Sequence, residues 1–155
     1  MSPKPEKTLD PASCLDAGAT CACFNLRRAA RAVTQYFDDR LRPSGLRATQ
    51  FSLLAATRVH EPVPVSRLAE ITLVDRTTLT RNLGLLERQG LLRIDPGRDR
   101  RVRSASLTDR GRRALLRAFP LWKGAQEAVV GRLGTNRLRH LLAGLAAAVE
   151  ATREG

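Results

Sequence analysis

The chain has 155 residues, 43% of them hydrophobic, and its 27 Lys and Arg against 15 Asp and Glu give a formal net charge of +12. That length suits one domain, and so apolar a chain is no disordered polybasic tail. A basic globular domain usually meets a polyanion, nucleic acid more often than a membrane surface, and 24 of the 27 bases here are arginine. The uncharged stretch from Leu141 to Val149, nine residues, is too short to span a bilayer. Three cysteines do not make a disulfide framework.

Residues 1–20 carry Lys4, Glu6, Lys7, Asp10 and Asp16 among prolines, without an apolar core segment. They read as a flexible arm and not as a secretory signal, so a cytoplasmic location with reduced thiols is expected. From Cys21 to about Leu41, residues Leu26, Ala29, Ala30, Val33, Phe37 and Leu41 recur at three- and four-residue steps, one stripe of an amphipathic helix. Pro43-Ser44-Gly45 ends it. Gln50 to Val59 reads as a second helix, closed near Glu61-Pro62, and Val65 to Ile71 as a third. Asp75 then stands where it can cap a helix start, and Gly90 marks that helix's stop. Two short extended runs, Leu91 to Asp95 and Val102 to Leu107, flank a charged Pro-Gly turn and read as a β-hairpin. Thr108 opens a helix to about Leu133 with a kink expected at Pro120. A last helix from about Asn136 places Leu138, Leu142, Leu145 and Val149 on one stripe.

Short helix, turn, helix, hairpin is the order of a winged helix-turn-helix. On a wheel of about 100° per residue, Leu79, Leu83 and Leu86 form the buried stripe of the helix after Asp75. Opposite them lie Thr77, Arg81, Gly84 and Arg88, flanked by Thr78 and Thr80, with Arg76 at the start and no acid before Glu87. Arginine can grip guanine O6 and N7 with two bonds, and threonine can bond bases or phosphates. The same residues could form an ordinary solvated face. The neighbouring hairpin tilts the balance, because Arg93 to Arg117 holds nine arginines and three aspartates. Its tip, Arg98, Arg100 and Arg101 around Asp99, suits a narrow minor groove.

These residues resemble the MarR family of transcription regulators from about Cys21 to the last helix. The most specific part is Asp99 to Gly111, similar to the family's wing pattern of Asp-x-Arg leading into Leu-Thr-x-x-Gly. The resemblance implies a mainly α fold with a small β-hairpin wing. Residues 46–114 would form the winged-helix DNA-binding region, and 21–45 and 115–155 the dimerisation helices of one domain spanning 21–155. It further implies a homodimer on a pseudo-palindromic operator, most often a repressor, with Asp99 orienting Arg101 in the minor groove. The apolar stripes of the first and last helices agree with a two-fold dimer, though they could also fold back on their own chain.

Release of DNA by a small aromatic ligand is common among such regulators, and Tyr36, Phe37, Phe51 and Trp122 are the aromatic candidates for a pocket. For each of them taken alone, plain core is the expected role. Cys23 to Arg31 is similar to the segment around the sensing cysteine of the organic-hydroperoxide branch, which makes Cys23 a candidate redox sensor. Arg27 and Arg28, one turn along, support thiol reactivity. That branch has tyrosines near the thiol where this chain has Phe37 and Ala48. Cys14, Cys21 and Cys23 could instead be inert. On one helix Cys21 and Cys23 would point about 160° apart. No metal site is expected, since only His60 and His140 could join the cysteines, and no cofactor is expected. The alternatives to a non-enzymatic regulator are a thiol peroxidase using Cys23, which lacks a nearby histidine base, and a winged-helix module that binds protein.

Overall fold

The computed structural model describes residues 10–96 and 102–153. Arg98, Asp99, Arg100 and Arg101, the expected wing tip, lie outside the described residues. The elements run α1 (Pro11–Thr20), α2 (Ala22–Leu41), a 3₁₀ turn (Arg42–Ser44), α3 (Ala48–His60), β1 (Val63–Pro64), α4 (Val65–Thr72), α5 (Arg76–Arg88), β2 (Leu92–Pro96), β3 (Arg103–Leu107), α6 (Asp109–Leu133) and α7 (Thr135–Arg153). Mainly helical with a small antiparallel sheet, this is the fold class the sequence implies. The chain divides into two compact units, one ending at Tyr36 and one beginning at Phe37.

In the first unit, the expected flexible arm is instead helical from Pro11. Asp10 accepts the Ala12 amide at 3.2 Å, and Pro11 stands at the first helical position, where its fixed φ suits a helix start. The Asn25 side-chain amide closes the other end of α1, donating to the carbonyls of Gly18, Ala19 and Cys21 at 3.2, 3.1 and 2.9 Å. Cys21 lies between the helices with φ −67° and ψ 112°, so the helical angle expected between Cys21 and Cys23 does not apply. Its sulfur accepts the Phe24 amide at 3.4 Å.

The second unit holds the core. Leu41, Leu54, Leu68, Leu79, Leu83 and Leu86 are completely buried, joined by Phe51, Val63, Leu92, Ala105 and Leu107. Burying a leucine contributes about 1.5–3 kcal/mol, so the stripe on α5 anchors that helix firmly. The Asp38 carboxylate accepts the Ala48 amide at 2.6 Å and ties the end of α2 to the start of α3. Strand order is β1-β3-β2, all antiparallel, with Leu92 opposite Leu107 and Ile94 opposite Ala105. The sequence reading lacked β1, two residues that pair Val63 with Ala105. Val63 is 1% exposed, so burial and pairing override a signal too short to read. Helix α6 continues through Pro120, which leaves the Leu116 carbonyl without its usual partner.

One junction joins α5, both strands of the hairpin and α6. Helix α5 ends in a Schellman motif: Gly90 has φ 67°, its amide bonds Glu87 O at 2.8 Å, and the Leu91 amide bonds Leu86 O at 2.9 Å. The Thr108 hydroxyl donates to Gly90 O at 2.6 Å and accepts the Gly111 amide at 3.0 Å, capping α6. The Thr108 amide donates to Leu91 O at 3.2 Å. Gly111 packs so closely on Leu91 that a Cβ there would lie 1.8 Å from the Leu91 carbonyl oxygen. Because that obstacle is backbone, Gly111→Ala is expected to destabilise the second unit by about 3 kcal/mol or more. Urea denaturation followed by circular dichroism checks this, and a loss under about 0.5 kcal/mol would contradict the packing.

Candidate nucleic-acid interface

Helices α4 and α5 meet in a turn that begins with Leu73. Leu73 adopts the left-handed conformation, φ 52° and ψ 32°, with its side chain 54% exposed. A leucine there costs about 1–2 kcal/mol relative to its favoured regions. Asp75 then starts α5, its Oδ1 accepting the Thr78 amide at 2.9 Å. The Thr78 amide, and next the Thr78 side chain, hold the Asp75 carboxyl below its usual 3.8.

With Leu79, Leu83 and Leu86 fully buried on one side, the opposite face of α5 is open. Arg76, Thr77, Thr80, Arg81 and Arg88 are exposed, and Thr78 is half-buried at the cap. The Thr80 hydroxyl donates to Arg76 O at 2.7 Å, which leaves its oxygen free to accept. Arg88 reaches back over Gly84, its Nη1 3.6 Å from where a Cβ would stand. Arg76, Arg81 and Arg88 make no ion pair among the described residues, whereas Arg42, Arg58, Arg67, Arg93 and Arg112 each sit beside a carboxylate. The structure therefore brings Arg76, Thr77, Arg81 and Arg88 together on one unneutralised surface. The wing residues Arg98, Asp99, Arg100 and Arg101, outside the described residues, are not placed.

Two glutamates missed by the sequence reading hold this unit together. Glu61, 12% exposed, accepts Arg112 Nη1 at 2.7 Å and Arg58 Nη1 at 3.1 Å through one oxygen. Its other oxygen accepts the Leu107 amide at 2.8 Å. Glu87 accepts the Ile94 amide at 3.0 Å, joining α5 to the outer edge of β2. Apart from the i,i+3 pair of Arg58 with Glu61, none of these bonds follows a local helical or strand spacing that the sequence would announce.

The pocket candidates separate. Phe51 stacks on Trp122 with ring centres 5.7 Å apart and planes 18° apart, and Phe119 lies 5.5 Å from Trp122. Phe51 is part of the core and Trp122 packs against it. Tyr36 and Phe37 are half-buried, the last residue of the first unit and the first of the second. Two clefts in the second unit, of about 470 Å³ beside Arg47, Gln50 and Leu85 and about 650 Å³ beside Arg58, Ser104 and Arg112, are lined by none of these four aromatics. Cys14, Cys21 and Cys23 are exposed free thiols. Among the described residues no group of His, Cys, Asp and Glu could hold a metal, and no helix is long and apolar enough to cross a membrane.

A three-helix unit with its third helix open on one face, followed by an antiparallel hairpin, defines a winged helix-turn-helix protein. The MarR family model matches residues 44–102. The transcriptional regulator MosR of M. tuberculosis, solved in complex with DNA, is 47% identical, with 86% of this chain and 98% of that one covered at a TM-score of 0.77. The chain belongs to the MarR family. The transcriptional repressor CouR, bound to a 23-mer DNA duplex, is 26% identical over 92% of this chain and 99% of its own, with a TM-score of 0.77. A mutant MarR from E. coli with operator DNA, 20% identical over 86% of this chain and 97% of its own, shares the fold at a TM-score of 0.77. No match was found among curated proteins. The family and these neighbours are transcriptional regulators, not enzymes.

The start of α5 yields two expectations. Because the folded pKa of Asp75 is lowered, its capping contribution is present above pH 3.8 and is lost as pH falls through the folded value. Asp75→Asn is expected to keep the cap and to flatten this part of the stability profile as the pH falls below 3.8, read by thermal melts. Leu73→Gly is expected to raise stability by up to about 1 kcal/mol, since glycine relieves the left-handed strain at some cost in unfolded-state entropy. A Leu73→Gly variant clearly less stable in urea would count against that strain.

Proposed function

We propose that the protein is a sequence-specific DNA-binding transcription regulator, a repressor that acts as a homodimer on a pseudo-palindromic operator. The observation that carries this is the face of α5, where Thr77, Arg81 and Arg88 stand exposed, the two arginines without carboxylate partners among the described residues, on a helix anchored by three buried leucines. Such a helix fits the major groove, with arginine reading guanine and threonine reaching bases or phosphates. Arg76, Thr78 and Thr80 belong to the same contact surface, near the helix start that favours phosphate. Arg98, Arg100 and Arg101, with Asp99 orienting Arg101, are the wing's contribution to the adjacent minor groove. The DNA complex of MosR supports this reading. A cytoplasmic location belongs to the same proposal.

A second copy is the partner proposed for the terminal helices. Helix α7 buries none of its 19 residues, and its leucines 141, 142 and 145 are 50, 55 and 37% exposed. A two-fold pairing would cover such a stripe and set two α5 helices about one DNA turn apart. Release of the operator follows from a small aromatic ligand, or from oxidation of the exposed Cys23. In the second case the thiolate attacks the peroxide oxygen of an organic hydroperoxide, giving the sulfenic acid and the alcohol.

Titration against duplexes from the protein's own promoter region, at several salt concentrations, tests the proposal. A discrete palindromic site bound about a thousandfold more tightly than unrelated DNA is expected. Arg81→Ala is expected to weaken that site about 10- to 100-fold, and the combined Arg81→Ala, Arg101→Ala change to abolish the complex while sedimentation still reports a dimer. Weak binding with a steep salt slope and no preferred sequence would overturn the reading. Hydroperoxide is expected to dissociate the wild-type complex and to spare Cys23→Ser.

A further inference from the structure

Glu87 is out of place on the reading above. It is an exposed acid in the last turn of a helix assigned to a polyanion, beside the exposed Arg88. Electrostatics alone would remove it, since a carboxylate near phosphate opposes binding. Its position has another use. Strand β2 is the outer strand of a sheet ordered β1-β3-β2. Ile94 lies in the middle of β2, opposite Ala105, and its amide donates to the Glu87 carboxylate at 3.0 Å. Leu92, at the start of β2, packs with Leu83 and Leu86 in the core, and the backbone bonds that close α5 at Gly90 and Leu91 lie three residues and more before Ile94. Glu87 is thus a side-chain tie between α5 and the half of the hairpin that leads toward its tip.

We propose that Glu87 is a positioning residue for DNA binding: through the Ile94 amide it fixes the angle between α5 and the β2–β3 hairpin. Both then meet one duplex without further adjustment. The inference rests on the DNA-binding reading of α5 and the wing. A carboxylate accepting a backbone amide is among the stronger hydrogen bonds, and an edge strand otherwise has only one partner to hold it. Without the tie, the hairpin samples other angles, and DNA must select the one that fits. The apparent affinity falls by the fraction of molecules already in that arrangement.

Two variants of equal charge separate this from simple repulsion. Glu87→Gln keeps an oxygen acceptor for the Ile94 amide and removes the negative charge, and Glu87→Ala removes both. Operator affinity is read by fluorescence anisotropy, and exchange of the Ile94 amide by NMR on the free protein. The expected results are Glu87→Gln binding as tightly as wild type or more so, Glu87→Ala binding about tenfold more weakly, and faster Ile94 exchange in Glu87→Ala alone. If both variants bind more tightly by the same factor, Glu87 is merely a repulsive charge and the proposal is overturned. Unchanged Ile94 exchange in Glu87→Ala overturns it without reference to DNA. Failure of the wild-type protein to bind any operator would instead remove the DNA-binding reading itself, and the exchange measurement still decides whether the tie exists.

Discussion

The Leu91 carbonyl takes the Thr108 amide at 3.2 Å, and the Cα of Gly111 lies hard against it. Four elements depend on that contact. Upstream, Gly90 and Leu91 close α5 by returning their amides to Glu87 and Leu86. Downstream, β2 leaves from Leu92 and β3 returns to Leu107, its opposite residue. Thr108 then caps α6 while donating its own hydroxyl to Gly90. The end of the candidate recognition helix, both ends of the wing and the start of the longest helix therefore share one set of backbone atoms. A movement of α6 has no route that leaves the base of the wing untouched, because interiors packed this closely transmit displacement instead of absorbing it. Glu61 adds a second connection of the same kind, since one side chain accepts from Arg58 on α3, Leu107 on β3 and Arg112 on α6.

This junction also accounts physically for the pattern from Leu107 to Gly111 that carried the family resemblance. Leucine is needed at 107 because the site is 2% exposed in the core. Threonine is needed at 108 because its hydroxyl both accepts an α6 amide and donates to Gly90 O. Glycine is needed at 111 because any side chain would enter the backbone of Leu91. The residues between them, Asp109 and Arg110, are exposed. A motif that marks the wing in sequence is, in three dimensions, the geometry of a helix start meeting a helix end.

Much of this was legible in the sequence, and each part that was not has its own physical reason. The leucine stripe of α5 and the Asp75 cap arise from neighbours a few residues apart, which periodicity and spacing report, and the hairpin is visible as two extended runs around a Pro-Gly turn. Helix α1 was hidden because Pro11 and the mixed charges look like an arm, although Asp10-Pro11 is a sound helix start. Strand β1 is two residues long and exists only through its pairing with Ala105 and Ser104. Glu61 and Glu87 read as turn and surface acids, since Arg112 and Leu107 lie 51 and 46 residues from Glu61 in the chain. Among the candidate site residues, those on α5 could be read from a helical wheel. The aromatic candidates could not be sorted, because stacking of Phe51 on Trp122 depends on the packing of α3 against α6.

The placement of the acids explains how a chain of net charge +12 keeps its cations available where they matter. Asp38, Asp75 and Glu87 each direct a carboxylate oxygen to a backbone amide, those of Ala48, Thr78 and Ile94. Glu61 serves one amide and two arginines that belong to the scaffold. Glu70 and Asp95 sit beside Arg67 and Arg93. Exposed pairs of that kind contribute little to stability, but they neutralise the arginines that flank α5 in the sequence. Arg76, Arg81 and Arg88 are left without such partners among the described residues, so their charge is not spent internally. An ion pair on that face would have to be broken before a phosphate or guanine could take its place, and desolvating both partners would offset much of the gain. Keeping the acids on backbone amides supplies the caps and strand ties that a small domain needs while the proposed binding face stays open to an anionic partner.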